Sequence, residues 1–191
     1  GRFPSVNKVG VVKPFSKRSK FAAFLDKKTG DDNNLSNENN IRIISANIKN
    51  LTCDMNKVLF TGILDNEIAG KIRTYDITKE EPILNGDTVI YGRSDSLRET
   101  LDYDFAQEKK FIYKGLSIKE KVEHLAKFVS GIWQIHPFGE GNTRTTAVFV
   151  IKYLHTLGFD TNNDLFEKHA KYFRNALVRA NYQNLRKDIP Y

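Results

Sequence analysis

The sequence predicts a mainly α-helical protein, a helical bundle around one central buried helix with a single small β-hairpin beside it. Three observations carry this prediction. Apolar residues recur at helical spacing over most of residues 94–180. The run from 147 to 157 is apolar nearly all round, as expected of a helix buried on most sides. Two short alternating segments flank an Asn-Gly turn signal between residues 71 and 92.

The composition is typical of a globular protein with one domain and an arm. The chain has 191 residues, of which 40% are hydrophobic and 28% are charged. We expect a basic N-terminal arm and polar linker over residues 1–40, the domain over 41–185, and a C-terminal tail over 186–191 that continues in the natural chain. The first residue is glycine rather than methionine, so we also expect a trimmed or tagged N-terminus.

Charge and cysteine content narrow the cellular setting. Lys plus Arg number 30 and Asp plus Glu 23, a net charge of +7 that favours anionic ligands. Cys53 is the only cysteine, so no internal disulfide can form and a reducing compartment is expected. We therefore expect a cytoplasmic protein, with export as an effector as the alternative. No apolar run has the length of a transmembrane helix, so no membrane partner is expected.

The N-terminal arm has two interpretations. Its first 30 residues hold eight basic residues against one acid, with four phenylalanines between them. One interpretation is an arm that binds nucleic acid or an acidic partner. The other is a loosely ordered arm whose phenylalanines dock on the domain. We favour the second because no nucleic-acid motif accompanies the charge, so nucleic acid is not expected as a partner. Residues 29–40 have the composition of a polar linker.

The first helical patterns of the domain precede the hairpin. Apolar residues at helical spacing predict core positions over 41–51 and again over 58–64, ending near Ala69-Gly70. The predicted core positions are Ile41, Ile44, Ile48, Leu51, Val58, Leu59, Ile63 and Leu64.

The hairpin is predicted from two alternating segments. Residues 71–77 (KIRTYDI) predict the first strand, Asn85-Gly86 the turn, and residues 88–92 (TVIYG) the returning strand. Such a hairpin leaves one edge unpaired, and an extended peptide can add to it. The alternative is a purely structural hairpin.

The later helices follow from apolar spacing and capping signals. Residues 94–111 predict a helix with Leu97, Leu101 and Phe105 turned inward. Ser117 and Glu120 form a capping-box pattern that opens the next helix, whose apolar residues recur at helical spacing from Ile118 to Trp133 and so lead into the stretch that begins at residue 136. His124 lies on this helix and is predicted to be structural or solvent-facing. A last helix is predicted over about 164–180.

The stretch HPFGEGNTR, residues 136–144, separates two long helical patterns. Pro137 forces the chain out of the first helix, and the next helix can begin between Glu140 and Asn142. The first amides of that helix have no partner within it, and the helix dipole adds positive charge, so this terminus suits a phosphate. The stretch therefore indicates phosphoryl or nucleotidyl transfer.

The side chains around this terminus suit the same chemistry. Gly141 allows close approach of a ligand, and Arg144 can fork onto a phosphate. Glu140 is an oxygen ligand for Mg²⁺. His136 is a general base for reaction near pH 7.

HPFGEGNTR resembles the Fic-domain motif HPFx(D/E)GN(G/K)R. AGKIRTYDI, residues 69–77, is similar to the segment that opens the family's flap, a hairpin over its active site. YFRNALVRA, residues 172–180, is similar to the Tyr-x-x-Ala-Leu stretch that follows the motif in the family. The resemblance covers roughly residues 40–180 and implies a Fic-like helical bundle.

The resemblance also implies roles for individual residues. His136 would deprotonate a hydroxyl of a target protein, Glu140 would hold Mg²⁺, and Arg144 would stabilise the pyrophosphate leaving group. The implied phosphate-binding residues are Gly139, Gly141, Asn142, Thr143 and Arg144. Tyr172 would border adenine, although core packing is the interpretation we favour for it. The implied docking strand for the target is Thr74, Tyr75, Asp76 and Ile77.

The implied reaction is transfer of AMP from ATP, with Mg²⁺ as cofactor, to a Ser, Thr or Tyr hydroxyl of a target protein. A separate antitoxin or inhibitor protein is a further expected partner. Three alternatives stay open. They are transfer of another phosphate-linked group by the same site, a non-catalytic nucleotide- or protein-binding module with the same fold, and a basic helical nucleic-acid binder.

Two positions depart from the family pattern. Position 143 is Thr where the commonest motif has Gly, and position 147 is Ala where the extended motif has a second Arg. The Ala-Lys pair of the phosphotransferase branch is absent as well. The inhibitory pattern (S/T)xxxE(G/N) of many members does not occur in this sequence. We therefore expect no autoinhibition of that kind from the chain.

Overall fold

The computed structural model describes residues 48–187, without the side chains of residues 48–51 and 185. The predicted arm and linker over 1–40, the core positions Ile41 and Ile44 and the end of the tail lie outside the described residues, as do the side chains of Ile48 and Leu51. The described part is mainly helical, as predicted. Its helices are α1 (Ile48–Phe60), α2 (Leu97–Lys110), α3 (Ile118–Ile135), α4 (Asn142–Thr156), α5 (Asn163–Lys168) and α6 (Ala170–Ala180).

The central helix of the bundle is α4, as its apolar surface predicts. It contacts α1, α3 and α5, and its buried residues include Phe149, Val150 and Leu154. Around it, α2 contributes Leu101 and α3 contributes Trp133 to the same core. Because α4 is held on several sides, its N-terminus at Asn142 is fixed relative to the rest of the bundle.

Helix α3 begins where the capping box predicts. The Ser117 hydroxyl accepts from the Glu120 amide, and the Glu120 carboxylate accepts from the Ser117 amide. Both donors would otherwise be orphans of the first turn. Helix α2 is also close to its predicted range, with Leu97, Leu101 and Phe105 buried.

Two of the predicted core positions near α1 are wrong. Val58 is 79% exposed and Ile63 is 70% exposed. Helix α1 ends at Phe60, and its buried face carries Thr52, Met55, Asn56 and Phe60. Two polar residues thus occupy the inward face, so apolar spacing alone selected the wrong side of the helix.

The predicted hairpin does not form as two paired strands in the described residues. The segment closes on itself only at an antiparallel bridge between Glu80 and Thr88, around a 3-10 turn over Pro82–Leu84. The first predicted strand meets the motif instead, through a bridge between Ile72 and Phe138. The second follows the end of α3, where the Gly92 amide donates to the Gln134 carbonyl. We call residues 71–92 the flap loop.

The last predicted helix is two helices. The chain leaves helical dihedrals at His169, which separates α5 from α6. Over residues 48–187, none of the helices has both the length and the apolar character needed to cross a bilayer.

Candidate active site

The motif loop connects the end of α3 to the start of α4. His136 ends α3 in the left-handed conformation, with φ 52° and ψ 56°. This conformation costs a non-glycine residue about 1 kcal/mol, so its surroundings must hold it. Pro137 follows, as predicted, and α4 begins at Asn142.

The Asn142 side chain closes this loop. Its Oδ1 accepts from the Phe138 amide at 2.9 Å, and its Nδ2 donates to the Phe138 carbonyl at 2.7 Å. Both ends of the amide are therefore occupied by one backbone unit. The buried side chain of Asn142 thus shapes the loop. The predicted contact of Asn142 with a phosphate is therefore limited to its backbone amide.

The N-terminus of α4 has no side-chain cap. Gly141 precedes it with φ 80°, and the first backbone bond of the helix runs from the Thr145 amide to the Gly141 carbonyl. The backbone amides of Asn142, Thr143 and Arg144 have no hydrogen-bond acceptor within residues 48–187. Three orphan donors at a helix N-terminus have the chemistry to bind an anion. We call these three amides the anion nest.

Glu140 stands next to the anion nest and is exposed. Its Oε1 accepts from the Gly141 amide at 2.9 Å. Its second carboxylate oxygen remains available to a cation at the same edge of the loop.

Close approach explains both glycines of the motif. A Cβ atom on Gly141 would lie 2.1 Å from the Phe60 ring, and one on Gly139 would lie 2.6 Å from the Tyr75 hydroxyl. The Arg144 guanidinium rests over the same Phe60 ring, 4.7 Å from its centroid. Arg144 is thus held beside the nest against α1, and Tyr75 of the flap loop contacts the other end of the motif.

The His136 imidazole is 3% exposed and lies between two aromatic rings. The ring centroid of Tyr91 is 4.2 Å away, and that of Trp133 is 5.1 Å away at an interplanar angle of 89°. Nδ1 lies 3.1 Å from the Trp133 carbonyl oxygen. Because a carbonyl only accepts, Nδ1 carries the proton and Nε2 has a free lone pair.

Burial lowers the pKa of His136 to about 3, and the positive charges of Lys79, Arg73 and Arg174 act in the same direction. The hydrogen bond to Trp133 opposes the shift. The imidazole is therefore neutral near pH 7, as a general base must be.

Arg73 holds the end of α3 and the flap loop together. Its buried guanidinium donates to the His136 carbonyl at 2.9 Å, and also to the carbonyls of Tyr75 and Gly92. Its own amide donates to the Pro137 carbonyl at 2.9 Å. These bonds support the left-handed backbone of His136. Burial lowers the pKa of Arg73, but a guanidinium stays charged.

Asn56 is the second residue that holds the motif loop. Its Nδ2 donates to the Glu140 carbonyl at 3.1 Å and to the Thr145 hydroxyl at 3.0 Å, and its Oδ1 accepts from the Gly70 amide at 2.8 Å. Asn56 is fully buried on α1. The sequence prediction missed Asn56, because no pattern in the sequence relates it to a motif 84 residues away. Arg73 could have been found from the sequence, because it belongs to the AGKIRTYDI segment that resembles the family's flap, but the sequence prediction assigned no role to it.

Thr143 has a partner that explains its hydroxyl. The buried Trp133 indole Nε1 donates to the Thr143 hydroxyl oxygen at 2.9 Å. A glycine at this position would leave the indole donor without that acceptor. The departure from the family pattern is therefore matched by a tryptophan at the end of α3.

The remaining predicted site residues are Tyr172 and the docking residues 74–77, and the structure shows how exposed each of them is. Tyr172 is 43% exposed, so the favoured prediction that it packs in the core is wrong. Thr74, Tyr75 and Asp76 are exposed, while Ile77 is partly buried against the core. The structure thus places the predicted docking residues just after the bridge between Ile72 and the motif.

The described residues form a helical bundle in which the loop that begins at a buried, neutral imidazole leads into a central helix whose first amides have no partner among these residues. The sequence matches the Fic/DOC family over residues 48–154, more than half of the chain, and the protein belongs to that family. The resemblance seen in the sequence is thereby confirmed. No curated protein and no solved structure matches the chain.

Proposed function

We propose that this protein is an adenylyltransferase, which transfers AMP from Mg-ATP to a Ser, Thr or Tyr hydroxyl of a target protein and releases pyrophosphate. The observation that supports the proposal most directly is the anion nest, three unpartnered amides at the start of α4. It follows in sequence directly on Glu140 and on the loop that begins at His136, and membership of the Fic/DOC family supports the same chemistry.

A single carboxylate, that of Glu140, suits the way in which Mg²⁺ binds together with a nucleotide. Within residues 48–187, no three or more His, Cys, Asp or Glu side chains are grouped to hold a metal ion. Mg²⁺ commonly takes one or two carboxylates and completes its shell with phosphates and waters. Glu140 would hold it with the carboxylate oxygen that does not bond Gly141. When bound, Mg²⁺ neutralises charge on the nucleotide phosphates.

The chain's own residues would supply binding and proton transfer. The anion nest binds phosphate oxygens. The target oxygen forms a bond to the α-phosphorus, the bond to the bridging oxygen breaks, and the pyrophosphate leaves with that oxygen. The hydroxyl proton passes to Nε2 of His136, the ring nitrogen that does not face the Trp133 carbonyl.

Arg144, whose guanidinium rests over the Phe60 ring, would exchange that contact for one with the leaving pyrophosphate. A cation–aromatic contact at a partly exposed site contributes about 0.5–1 kcal/mol, whereas a bidentate bond to phosphate is considerably stronger. The exchange is therefore favourable once nucleotide enters. The negative phosphates also raise the pKa of His136 and strengthen it as a base.

The flap loop offers an edge to a target. No backbone partner within the described residues accepts from the amides of residues 74–78, and the side chains of Thr74, Tyr75 and Asp76 are exposed. An extended peptide can pair with these amides by strand addition. Because the segment continues directly from Arg73, a docked hydroxyl would be held close to His136.

The test uses purified protein with ATP labelled at the α- or the γ-phosphate, followed by intact-mass analysis. We expect label from the α-position and a mass gain of one AMP, on a target or on the protein itself. His136→Ala should abolish both, whereas His155→Ala, which changes an exposed histidine outside the motif, should not.

Each other outcome contradicts the proposal in its own way. Label from the γ-position would indicate transfer of a phosphoryl group by the same site. A failure of the wild-type protein to bind Mg-ATP in calorimetry, with no product in either assay, would indicate a non-catalytic module.

A further inference from the structure

Glu81 is a carboxylate that the reaction described above does not use. It is fully buried in the flap loop. Its Oε1 accepts from the Tyr91 hydroxyl at 3.0 Å and from Arg174 Nη2 at 2.9 Å. Its Oε2 lies 2.7 Å from Arg174 Nη1 but has no hydrogen bond within the described residues. A buried carboxylate is costly unless it is paired and hydrogen-bonded, and Arg174 and the Tyr91 hydroxyl supply these contacts to Glu81.

Tyr91 connects this carboxylate to the active site. One end of Tyr91, the hydroxyl, is bound to Glu81, and its ring lies against the His136 imidazole with centroids 4.2 Å apart. Trp133 forms the other wall at nearly a right angle. The imidazole therefore sits in an aromatic slot, one wall of which is held in place by a hydrogen bond to a buried charge.

We infer that Glu81 is a positioning residue for His136, acting through the Tyr91 hydroxyl to fix the wall against which the imidazole stands. The inference rests on the proposed function, because positioning matters for the direction of Nε2 toward a target hydroxyl. A reacting group misplaced by about 1 Å can lose on the order of 100-fold in rate. Arg174 of α6 fixes Glu81 in turn, with 38% of its own side chain exposed.

A purely structural role for Glu81 would be to tie the flap loop to α6 through Arg174. Two substitutions separate the roles. Tyr91→Phe keeps the aromatic ring and the pair between Glu81 and Arg174, and removes only the hydroxyl. Glu81→Gln keeps the shape of the side chain and removes its charge.

The bundle supplies matched controls in a second buried network. Glu108 Oε1 accepts from the hydroxyls of Tyr113 and Tyr153, and Oε2 lies 2.6 Å from His124 Nε2. These residues lie on α2, the loop after it, α3 and α4, outside the motif loop. Tyr113→Phe and Glu108→Gln therefore make the same chemical changes as Tyr91→Phe and Glu81→Gln at a distance from His136.

The experiment measures steady-state AMP transfer and thermal unfolding for all four variants. Tyr91→Phe and Glu81→Gln should lower kcat about tenfold or more, with KM for ATP within about twofold of wild type. Tyr113→Phe and Glu108→Gln should lower Tm without changing kcat. If Tyr91→Phe, folded and binding ATP normally, keeps kcat within twofold of wild type, the inference is overturned. This variant decides the matter even where Glu81→Gln does not fold.

A spectroscopic measurement keeps the inference separate from the proposed function. Long-range proton–nitrogen NMR of the ring nitrogens reports the tautomer and surroundings of His136. Its ring signals should shift in Tyr91→Phe and Glu81→Gln and stay in place in Tyr113→Phe and Glu108→Gln. If wild type transfers no AMP, the proposed function fails, and these signals still decide the positioning. Unmoved His136 signals in both flap-loop variants would refute it.

Discussion

At the scale of single residues, the site depends on a histidine that is kept neutral and kept in one tautomer. The Trp133 carbonyl selects the proton position, and burial with nearby positive charge lowers the pKa of His136 to about 3. A neutral ring with a bare Nε2 is what proton abstraction requires. The motif gave the identity of this residue, but its environment depends on side chains from the flap loop.

The depressed pKa of His136 predicts a loss of stability in acid. An unfolded histidine takes a proton near pH 6.5, while the folded ring stays neutral down to about pH 3. The contribution is therefore fully present above pH 6.5 and is lost as pH falls toward 3, by at most about 1.4 kcal/mol per pH unit. Urea unfolding of wild type and His136→Asn at several pH values should show a shallower acid loss in the variant, and asparagine tolerates the left-handed backbone. Equal pH slopes would contradict this prediction.

The bond between Thr143 and Trp133 predicts a second effect at residue scale. Thr143→Val keeps the branched shape and removes the acceptor of a buried indole donor, so it should cost about 1–3 kcal/mol of unfolding free energy. Thr143→Ser keeps the acceptor and should cost less. Trp133 is the only tryptophan, so its fluorescence follows unfolding and also reports the loss of the bond. Equal stability of the two variants would argue against the assigned role of the hydroxyl.

At the scale of elements, sequence patterns predicted the helices well and the flap loop poorly. The capping box at Ser117 and the apolar spacing of α2 and α3 are local signals, and local bonds satisfy them. The alternation in residues 71–77 and 88–92 was real, since Arg73, Val89 and Tyr91 are buried. These residues face the bundle, however. The Arg73 amide bonds the motif loop, and the carbonyls of Tyr75, Ile90 and Gly92 accept from side chains, so the two segments do not pair with each other along their length.

Arg73 explains why the two segments of the flap loop do not pair as strands, and the role of its planar guanidinium can be tested. Its guanidinium bonds carbonyls of the flap loop and of the end of α3. Arg73→Lys keeps the charge but cannot reproduce the planar fork, so it should cost about 3 kcal/mol of unfolding free energy by leaving buried carbonyls unpaired. Arg93→Lys is the matched control, because Arg93 pairs with Asp95 on the surface and should change stability by less than about 0.5 kcal/mol. Similar costs for the two substitutions would contradict the role of Arg73.

At the scale of the whole molecule, the C-terminal residues return to hold the flap loop. Asp87 Oδ2 accepts from the Tyr182 hydroxyl at 2.6 Å, from Asn184 Nδ2 at 2.9 Å and from Lys187 Nζ at 3.3 Å. The hydrogen bond from Tyr182 is the largest of several that hold the pKa of Asp87 well below its usual range. We call these contacts the Asp87 clamp. It joins positions about 100 residues apart, which no sequence pattern indicates.

The Asp87 clamp predicts a coupled loosening of two distant segments. Asp87→Asn should raise amide hydrogen exchange in residues 81–88 and in residues 182–187 together, because it removes the shared charged acceptor. Since the folded pKa of Asp87 is lowered, acid should have the same effect. The stability that the clamp contributes is fully present above the usual Asp pKa and is lost progressively as pH falls from there toward the lowered pKa of the folded protein. Asp160→Asn, an exposed position, should change neither segment. Faster exchange in one segment alone would contradict the coupling.

The features of the fold that depend on residues close together in the sequence could therefore be predicted. The motif indicated the family, which is confirmed, and a helix start between Glu140 and Asn142, where α4 does begin; it also predicts site roles for His136, Glu140 and Arg144. It did not indicate Asn56, which bonds the motif loop across 84 residues, or Glu81, whose partner Arg174 lies 93 residues away on α6. Long-range polar contacts of this kind depend on folding rather than on spacing along the chain.

Arg73 marks a boundary in the flap loop between a buried residue and exposed residues that can vary more freely. Its own side chain faces inward and supports the motif loop, whereas the three residues after it are exposed to solvent. Under the proposed function, changes at Thr74 and Asp76 would alter which proteins are chosen and spare the motif loop, which the remaining one of these three residues, Tyr75, contacts at Gly139. Substitution of a few exposed side chains could thus give the protein new targets during evolution, without changes in the residues proposed to carry out the reaction.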